Sequence, residues 1–120
     1  MKRNMDLCRD ILLNLEAQPF GPGVIEVKID DISAQEVSYH LMLLAQAGLV
    51  EAEDLSNSTQ KMKWRASCLT WDGHEFLEAS RNQTTWNRVK ATMTEKSVGM
   101  SIDIVKALLF VYGKKLLGLD

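Results

Sequence analysis

The sequence has little of what would place it in several common classes of protein. Its 120 residues carry a formal net charge of only −2, so no global positive charge draws it to nucleic acid or to an anionic membrane. The most apolar stretch, residues 107–112, lies between Lys106 and Lys114 and is far shorter than the roughly 20 residues of a membrane span. The N-terminus passes directly into an amphipathic pattern without a signal peptide. We therefore expect a cytoplasmic protein that makes no membrane contact.

Cysteine is scarce as well. Cys8 and Cys68 are the two cysteines of the chain, and in a cytosolic protein we expect two reduced, partly buried thiols. A disulfide would require the fold to bring their two segments together. A zinc site needs closely spaced ligands, whereas these cysteines and the two histidines, His40 and His74, are scattered along the chain. We therefore predict no metal site.

Catalytic motifs are missing from the sequence. Residues 21–23 form a Gly-Pro-Gly turn that no Lys-Ser/Thr pair follows, which argues against a phosphate-binding loop. No serine, histidine and acid form a recognisable nucleophile arrangement. His40 falls on the core side of its helix and is predicted to be a hydrogen-bonded structural residue, while His74 is expected to cap a helix or pack at the surface. The sequence thus predicts a protein that is not an enzyme, with no catalytic residue and no cofactor.

What is present is an ordinary globular composition, 46% hydrophobic and 25% charged, in a chain long enough to bury a core. Apolar spacing predicts a helix over residues 4–17, a strand over 24–29 and a second helix from the Ser33 N-cap to about Ala47, with Gly48 ending it. Strands over 49–55 and 61–70 form a hairpin around a polar loop. Helices follow from Thr70 to about Arg81, from residue 84 or 85, and from 102 to about 117, with a break at 96–99.

The predicted fold class is mainly α with a small β-sheet, an α+β protein. A helix that ends in Gly-Leu-Val and runs at once into a hairpin is typical of the winged helix-turn-helix, in which the hairpin is the wing. We assign residues 1–82 to a winged-helix domain and residues 83–120 to a C-terminal helical extension packed on the same domain. The usual fold has one more helix before the long one, but residues 30–33 leave room for a turn at most.

Two segments carry a resemblance to known proteins. Residues 36–51, Glu-Val-Ser-Tyr-His-Leu-Met-Leu-Leu-Ala-Gln-Ala-Gly-Leu-Val-Glu, resemble the long helix and wing start of winged-helix regulators, and residues 69–77, Leu-Thr-Trp-Asp-Gly-His-Glu-Phe-Leu, resemble the segment leaving the wing in MarR-like and PadR-like regulators. With the opening Met-Lys-Arg-Asn-Met-Asp-Leu and the Thr-Trp pair at 85–86, the whole chain is similar to a family of small bacterial proteins, often linked to prophages, defined by a domain of unknown function. That resemblance implies a fold but no activity.

Two surfaces compete as functional sites. Positive charge surrounds an aromatic ring on the second hairpin strand, which predicts a contact with double-stranded DNA through Lys61, Lys63, Trp64 and Arg65. The long helix, the usual reading element, lies in a stretch with six acidic residues and no lysine or arginine between residues 30 and 54. Its exposed stripe suits either base edges or a protein partner, and consists of Gln35, Tyr39, Met42 and Gln46.

We interpret the chain as a regulator-like DNA-binding module that uses its wing. The alternative is an adaptor that binds a protein through the exposed face of the long helix. The last helix is apolar around nearly its whole circumference, which predicts a homodimer. Its predicted interface comprises Ile102, Val105, Leu108, Leu109 and Tyr112. Packing on the first helix of the same chain is the rival explanation.

Overall fold

A computed structural model of the chain describes residues 1–97, 99 and 101–119. The helices are α1 (Met5–Ala17), α2 (Ala34–Gln46), α3 (Trp71–Ser80), α4 (Gln83–Glu95) and α5 (Ile102–Leu116). The strands β1 (Val50–Asp54) and β2 (Trp64–Leu69) form an antiparallel hairpin between α2 and α3. The predicted α+β class is confirmed, and the hairpin stands in a wing-like arrangement.

The chain divides into two compact units, Met1–His74 and Glu75–Asp120. The first holds α1, α2 and the hairpin, and the second holds α4 and α5. The boundary falls inside α3, eight residues before the division expected after residue 82. The assignment of residues 1–82 and 83–120 as domains stays a prediction. No helix in the described part of the chain combines the length and apolarity needed to cross a membrane.

The core of the first unit forms where α1 and α2 meet. Asn4 caps α1 by accepting a hydrogen bond from the Leu7 amide, and the apolar side chains predicted to share one face of the helix are buried. Arg9 is buried as well. It stands four residues after Met5 and three before Leu12, so it lies on the edge of the apolar face, where its methylene stem can cover core atoms.

His40 connects the two helices. Its side chain is fully buried, and its Nε2 atom accepts a hydrogen bond of 2.9 Å from the Asn4 backbone N–H. The Nδ1 atom lies 2.8 Å from the carbonyl oxygen of Glu36, to which it must donate. These partners require the neutral ring with its proton on Nδ1. The prediction of a structural, hydrogen-bonded histidine is confirmed.

The strand predicted over residues 24–29 is wrong in extent. Ile25 alone pairs with Ala66 of β2, through two hydrogen bonds of 2.8 and 3.1 Å, and the following residues leave the sheet. Alternating apolar residues indicate which side chains point inward, and Val27 is indeed buried, but they do not show whether the backbone finds a partner. The turn expected before α2 is present, with Asp31 at a φ of 65°.

One corner joins α2 to the hairpin and to α3. Gly48 has a φ of 76°, and the amides of Gly48 and Leu49 bond the carbonyls of Ala45 and Leu44, a Schellman turn. The Thr70 hydroxyl donates to the Gly48 carbonyl at 2.6 Å and accepts from the Gly73 amide at 3.0 Å, as the predicted cap of α3. The C-terminus of α2 therefore lies at the corner where the chain enters the hairpin and where it leaves it.

The second unit packs α5 on α4. Trp86, Val89 and Met93 are buried, as the predicted stripe requires, and the Phe76 ring meets Trp86 edge to face at 6.3 Å. The predicted start of α4 at residue 84 or 85 is one or two residues late. Asn82 is the N-cap residue, and its side chain accepts from the Thr85 amide. Ser101 is the N-cap residue of α5, but its side chain makes no capping hydrogen bond among the described residues.

The expected break begins with turns at Lys96 and Ser97, and its residue Val98 lies outside the described part of the chain.

The two cysteines are free thiols in different environments. Cys8 is buried in α1, as expected, whereas Cys68 is exposed on β2 and is not the partly buried residue we predicted. The pairing of the two strands shifts by one residue opposite Glu51 and Ala52, and both Ser67 and Cys68 are exposed between the buried Ala66 and Leu69. Burial raises the pKa of the Cys8 thiol to about 11, although the positive charge of Arg3 acts in the opposite direction.

Gly73→Ala should destabilise the protein by roughly 2–3 kcal/mol, because the added methyl would collide with the backbone carbonyl of Leu49. Gly21→Ala is the matched control, since open space surrounds its Cβ position and its change in stability should stay within about 0.5 kcal/mol. Urea unfolding followed by circular dichroism measures both. Equal stability of the two variants would contradict the close approach at Gly73.

At pH 8 a thiol reagent should modify Cys68 quickly and Cys8 only on unfolding, because the thiolate is the reactive form and Cys8 is both buried and protonated. Cys68→Ala removes the fast phase, and Cys8→Ala leaves it. A fast phase that survives in Cys68→Ala would refute the assignment.

Folding raises the pKa of the Cys8 thiol. The contribution of this pKa shift to the stability of the protein is therefore complete below pH 9 and is lost as the pH rises towards 11.

Candidate nucleic-acid interface

An open cleft of ≈ 410 Å³ lies between the start of α2 and the part of the hairpin formed by its loop and the start of β2. Three of the four residues predicted to contact DNA line it, and so does the first residue of the predicted partner face of α2. The cleft therefore brings residues of the two competing surfaces together. Its lining consists of Glu26, Ala34, Gln35, Ser38, Gln60, Lys61, Met62, Lys63 and Arg65.

The charge of the cleft is positive but partly compensated. Lys61, Lys63 and Arg65 contribute three positive charges and Glu26 one negative charge, which leaves a formal +2. The Arg65 Nη2 atom lies 3.6 Å from the Glu26 Oε2 atom, and Arg65 also donates to the carbonyl of Trp64 at 3.2 Å. Both partners of the ion pair are partly exposed, so the pair positions the guanidinium more than it stabilises the fold.

Trp64, the aromatic member of the predicted DNA contact, lies outside the cleft lining. Its side chain is half-buried, and its backbone N–H donates to the Ser38 hydroxyl at 3.1 Å. Ser38 is buried on α2, so this bond holds the start of β2 against the helix. Ser38 was not among the predicted site residues, yet its position three residues after Gln35 places it on the same side of the helix. That spacing could have identified it.

The hairpin loop is ordered by its own polar side chains. The Ser56 hydroxyl accepts from the Lys63 amide at 3.0 Å, and Asn57 accepts from the amides of Thr59 and Gln60 at 2.8 Å each. Hydrogen bonds from the Ser56 hydroxyl and amide lower the pKa of Asp54. Lys61 and Lys63 are thus carried by a loop with a defined backbone rather than by a structureless tip.

The remaining residues of the predicted partner face lie outside the cleft. Tyr39 and Met42 are half-buried, and Gln46 is exposed at the end of α2. The Tyr39 ring meets the His40 ring edge to face at 5.7 Å. Less of the aromatic and thioether surface is therefore available to a partner than the sequence pattern indicated.

The residues predicted to form a dimer interface lie mainly on the side of α5 that packs within the chain. Val105 and Leu109 are buried, and Ile102, Leu108 and Tyr112 are half-buried. The Tyr112 hydroxyl bonds the Thr92 hydroxyl of α4 at 2.6 Å, and the Arg88 guanidinium lies 4.5 Å from the centre of the Tyr112 ring. A homodimer as such stays a prediction, and these contacts bear on which face of α5 is free to form it.

Within the described residues, no three histidine, cysteine, aspartate or glutamate side chains come together in a group that could hold a metal ion. His74 is exposed at the start of α3, where we expected a capping or surface residue. The absence of enzymatic activity, of a cofactor and of a metal site remains a prediction.

Ser38→Ala should cost about 1–3 kcal/mol of stability, because it removes the acceptor of the Trp64 amide. Ser67→Ala is the control, since its hydroxyl is exposed and donates to the Glu51 carbonyl at 3.3 Å. Hydrogen exchange of the Trp64 amide, measured by NMR together with urea unfolding, should accelerate in the first variant alone. Unchanged protection of that amide in Ser38→Ala would count against the tie between α2 and β2.

The comparisons with known proteins agree with the resemblance seen in the sequence. The pattern of the family described as "Hypothetical protein (DUF2513)" matches residues 2–99, a span that includes α1 to α4 and ends before α5. An "Uncharacterized protein" of Haemophilus influenzae (strain ATCC 51907 / DSM 11121 / KW20 / Rd) is 46% identical over 107 residues, which cover 88% of this chain and 90% of the relative. No solved structure matches the chain. The chain belongs to the DUF2513 family of hypothetical proteins.

Proposed function

We propose that this protein is a regulator-like module of winged-helix type that binds double-stranded DNA through the cleft between α2 and the hairpin. The observation that carries the proposal is the convergence of Gln35, at the start of α2, with the cations of the hairpin around one open cleft. The order of elements supports the winged-helix interpretation. Ile25 pairs with β2 on the edge opposite β1, and α2 leads directly into the hairpin.

The hairpin cations are suited to the phosphate backbone. Lys61 is exposed, and Lys63 and Arg65 are half-exposed on the same wall of the cleft, so all three can approach a duplex from one side. Lysine and arginine contacts to phosphates release counterions and supply sequence-independent affinity. The guanidinium of Arg65 is already held in place by Glu26, which reduces the conformational entropy lost on binding.

The start of α2 is suited to the bases. Gln35 is exposed in the first turn of the helix, and a glutamine amide can pair with the N6 and N7 atoms of adenine in the major groove. The backbone amides at a helix N-terminus also favour negatively charged groups. A duplex set on the cleft would place the wing on the backbone and the first turns of α2 at the groove, the usual division of labour in this fold.

The acidic residues between 30 and 54 limit this interface. Glu51, Glu53 and Asp54 are exposed on β1, the strand of the hairpin away from Ile25, and they would repel a duplex that extended across that side. We therefore infer a small footprint, confined to the α2 start and the β2 side of the hairpin. Affinity from so few phosphate contacts depends strongly on salt.

Those same carboxylates favour a second candidate function, an adaptor that binds a protein through α2 and the acidic strand. The carboxylates of β1 are complementary in charge to a basic partner. Tyr39, Met42 and Gln46 add a surface with both polar and apolar groups. This candidate leaves Lys61 and Lys63 without a role. It becomes the leading function if the duplex does not bind at low salt.

We expect the wild-type protein to bind a fluorescent random-sequence duplex at low salt and to release it as salt rises. Lys61→Ala with Lys63→Ala should reduce the slope of log K against log salt by about 1 per lysine. Fluorescence anisotropy across a salt titration measures both. Lys2→Ala with Lys28→Ala removes the same charge outside the cleft and is the control.

An equal loss of binding in the two double variants would mean that net charge, and not the cleft, attracts the duplex. Absence of binding by the wild type at low salt would reject DNA binding. Gln35→Ala adds a test of base contact, because it should weaken binding to adenine-containing sites without changing the salt slope.

A further inference from the structure

Helix α5 carries a second set of apolar side chains, and these are exposed. Ile104, Ala107 and Val111 follow one another at intervals of three and four residues, so they form a stripe along one side of the helix. Ile104 is 42% and Val111 44% exposed, and the neighbouring Phe110 is 68% exposed. We call this set of four residues the outer stripe.

The outer stripe is distinct from the side of α5 that packs in the chain. Val105 and Leu109 are buried, and Tyr112 on that side bonds Thr92 of α4. The outer stripe lies on a different side of the helix from these residues, because each residue of an α-helix is rotated by about 100° from the one before it, at 3.6 residues per turn. Single exposed apolar residues are ordinary, but a continuous stripe on a helix marks an interaction site.

The charges at the ends of α5 indicate what covers this stripe. Asp103 lies in the first turn, and Lys114 and Lys115 lie in the last. A second α5 laid alongside in the same direction would set like charges against each other. Laid in the opposite direction, it would bring each aspartate beside the lysines of the other helix, and the two helix dipoles would also be opposed.

We propose that the outer stripe binds the outer stripe of a second copy of the chain, with the two α5 helices antiparallel. The pairing is self-complementary around a two-fold axis near the middle of the helix, so each contact occurs twice. Ala107 of each copy faces Val111 of the other, and its small side chain lets the helices approach closely. Asp103 then lies beside Lys114, whose ammonium already lies 5.4 Å from the centre of the Phe110 ring on the outer side of the helix.

The size of the contact predicts a reversible dimer. Helix α5 has 15 residues and is about 22 Å long at 1.5 Å per residue, so one helix pair covers an area at the low end of specific interfaces. We expect an equilibrium between monomer and dimer over the micromolar range of concentration.

This inference is independent of the proposed DNA binding, because self-association is measured without a duplex. Sedimentation velocity of the full chain over a range of micromolar concentrations should show a dimer that dissociates on dilution. Val111→Asp should raise the dimer dissociation constant about tenfold or more, since it places a charge in the desolvated centre of the contact. Lys106→Asp introduces an aspartate into the same helix at an exposed position outside the stripe and should retain the dimer.

Charge reversal tests the antiparallel direction even if Val111→Asp disturbs the helix. Asp103→Lys and Lys114→Asp should each weaken the dimer, and the variant that carries both should recover it, because the reversed charges meet again across the two-fold axis. Circular dichroism checks that each variant keeps its helices. A wild-type chain that stays monomeric at every concentration, or a double variant that remains as weak as the single ones, would overturn the proposal.

Discussion

The corner at Gly48 is the constraint on which the first unit depends. The positive φ of Gly48 closes α2 with a Schellman turn, and Thr70 ties that turn to the start of α3 through its hydroxyl. The same threonine donates its amide to the Leu49 carbonyl at 3.0 Å, so both ends of the hairpin are fixed at one point. Gly73 is required because its Cα approaches that carbonyl too closely for a side chain.

A second tie acts on the other side of the hairpin. The bond from the Trp64 amide to Ser38 holds the start of β2 against α2, far along the strand from the Gly48 corner. Two attachments prevent the hairpin from pivoting about one end, and the loop is ordered by Ser56 and Asn57. The lysines next to the loop therefore have a defined position relative to Gln35, which a functional cleft requires.

Electrostatics divides the hairpin into two sides. The strand β1 carries carboxylates, and the start of β2 with the adjacent loop carries the cations, so a net charge of −2 for the chain hides a local formal charge of +2 in the cleft. A ligand attracted by one side is repelled by the other. This separation explains why composition alone favoured neither DNA nor a protein partner, and why the cleft geometry carries the proposal.

Local sequence signals determined most of the elements of this protein. The capping residue Ser33, the glycine after α2 and the three- and four-residue apolar spacing located the helices to within a few residues, since these signals act through hydrogen bonds and packing between near neighbours in the chain. The polar loop between the two predicted strands also indicated the hairpin. The α+β class could therefore be predicted before any contact between distant segments was known.

Only the tertiary structure decided what depends on distant partners. The sequence could not show that one residue of the predicted first strand pairs with β2, that Ser38 accepts the Trp64 amide, or that Gln35 and the hairpin cations share a cleft. It likewise could not show which side of the uniformly apolar α5 meets α4. Periodicity reports that a side chain is apolar or lies on a given face, whereas the partner of that face is set by packing between segments far apart in the chain.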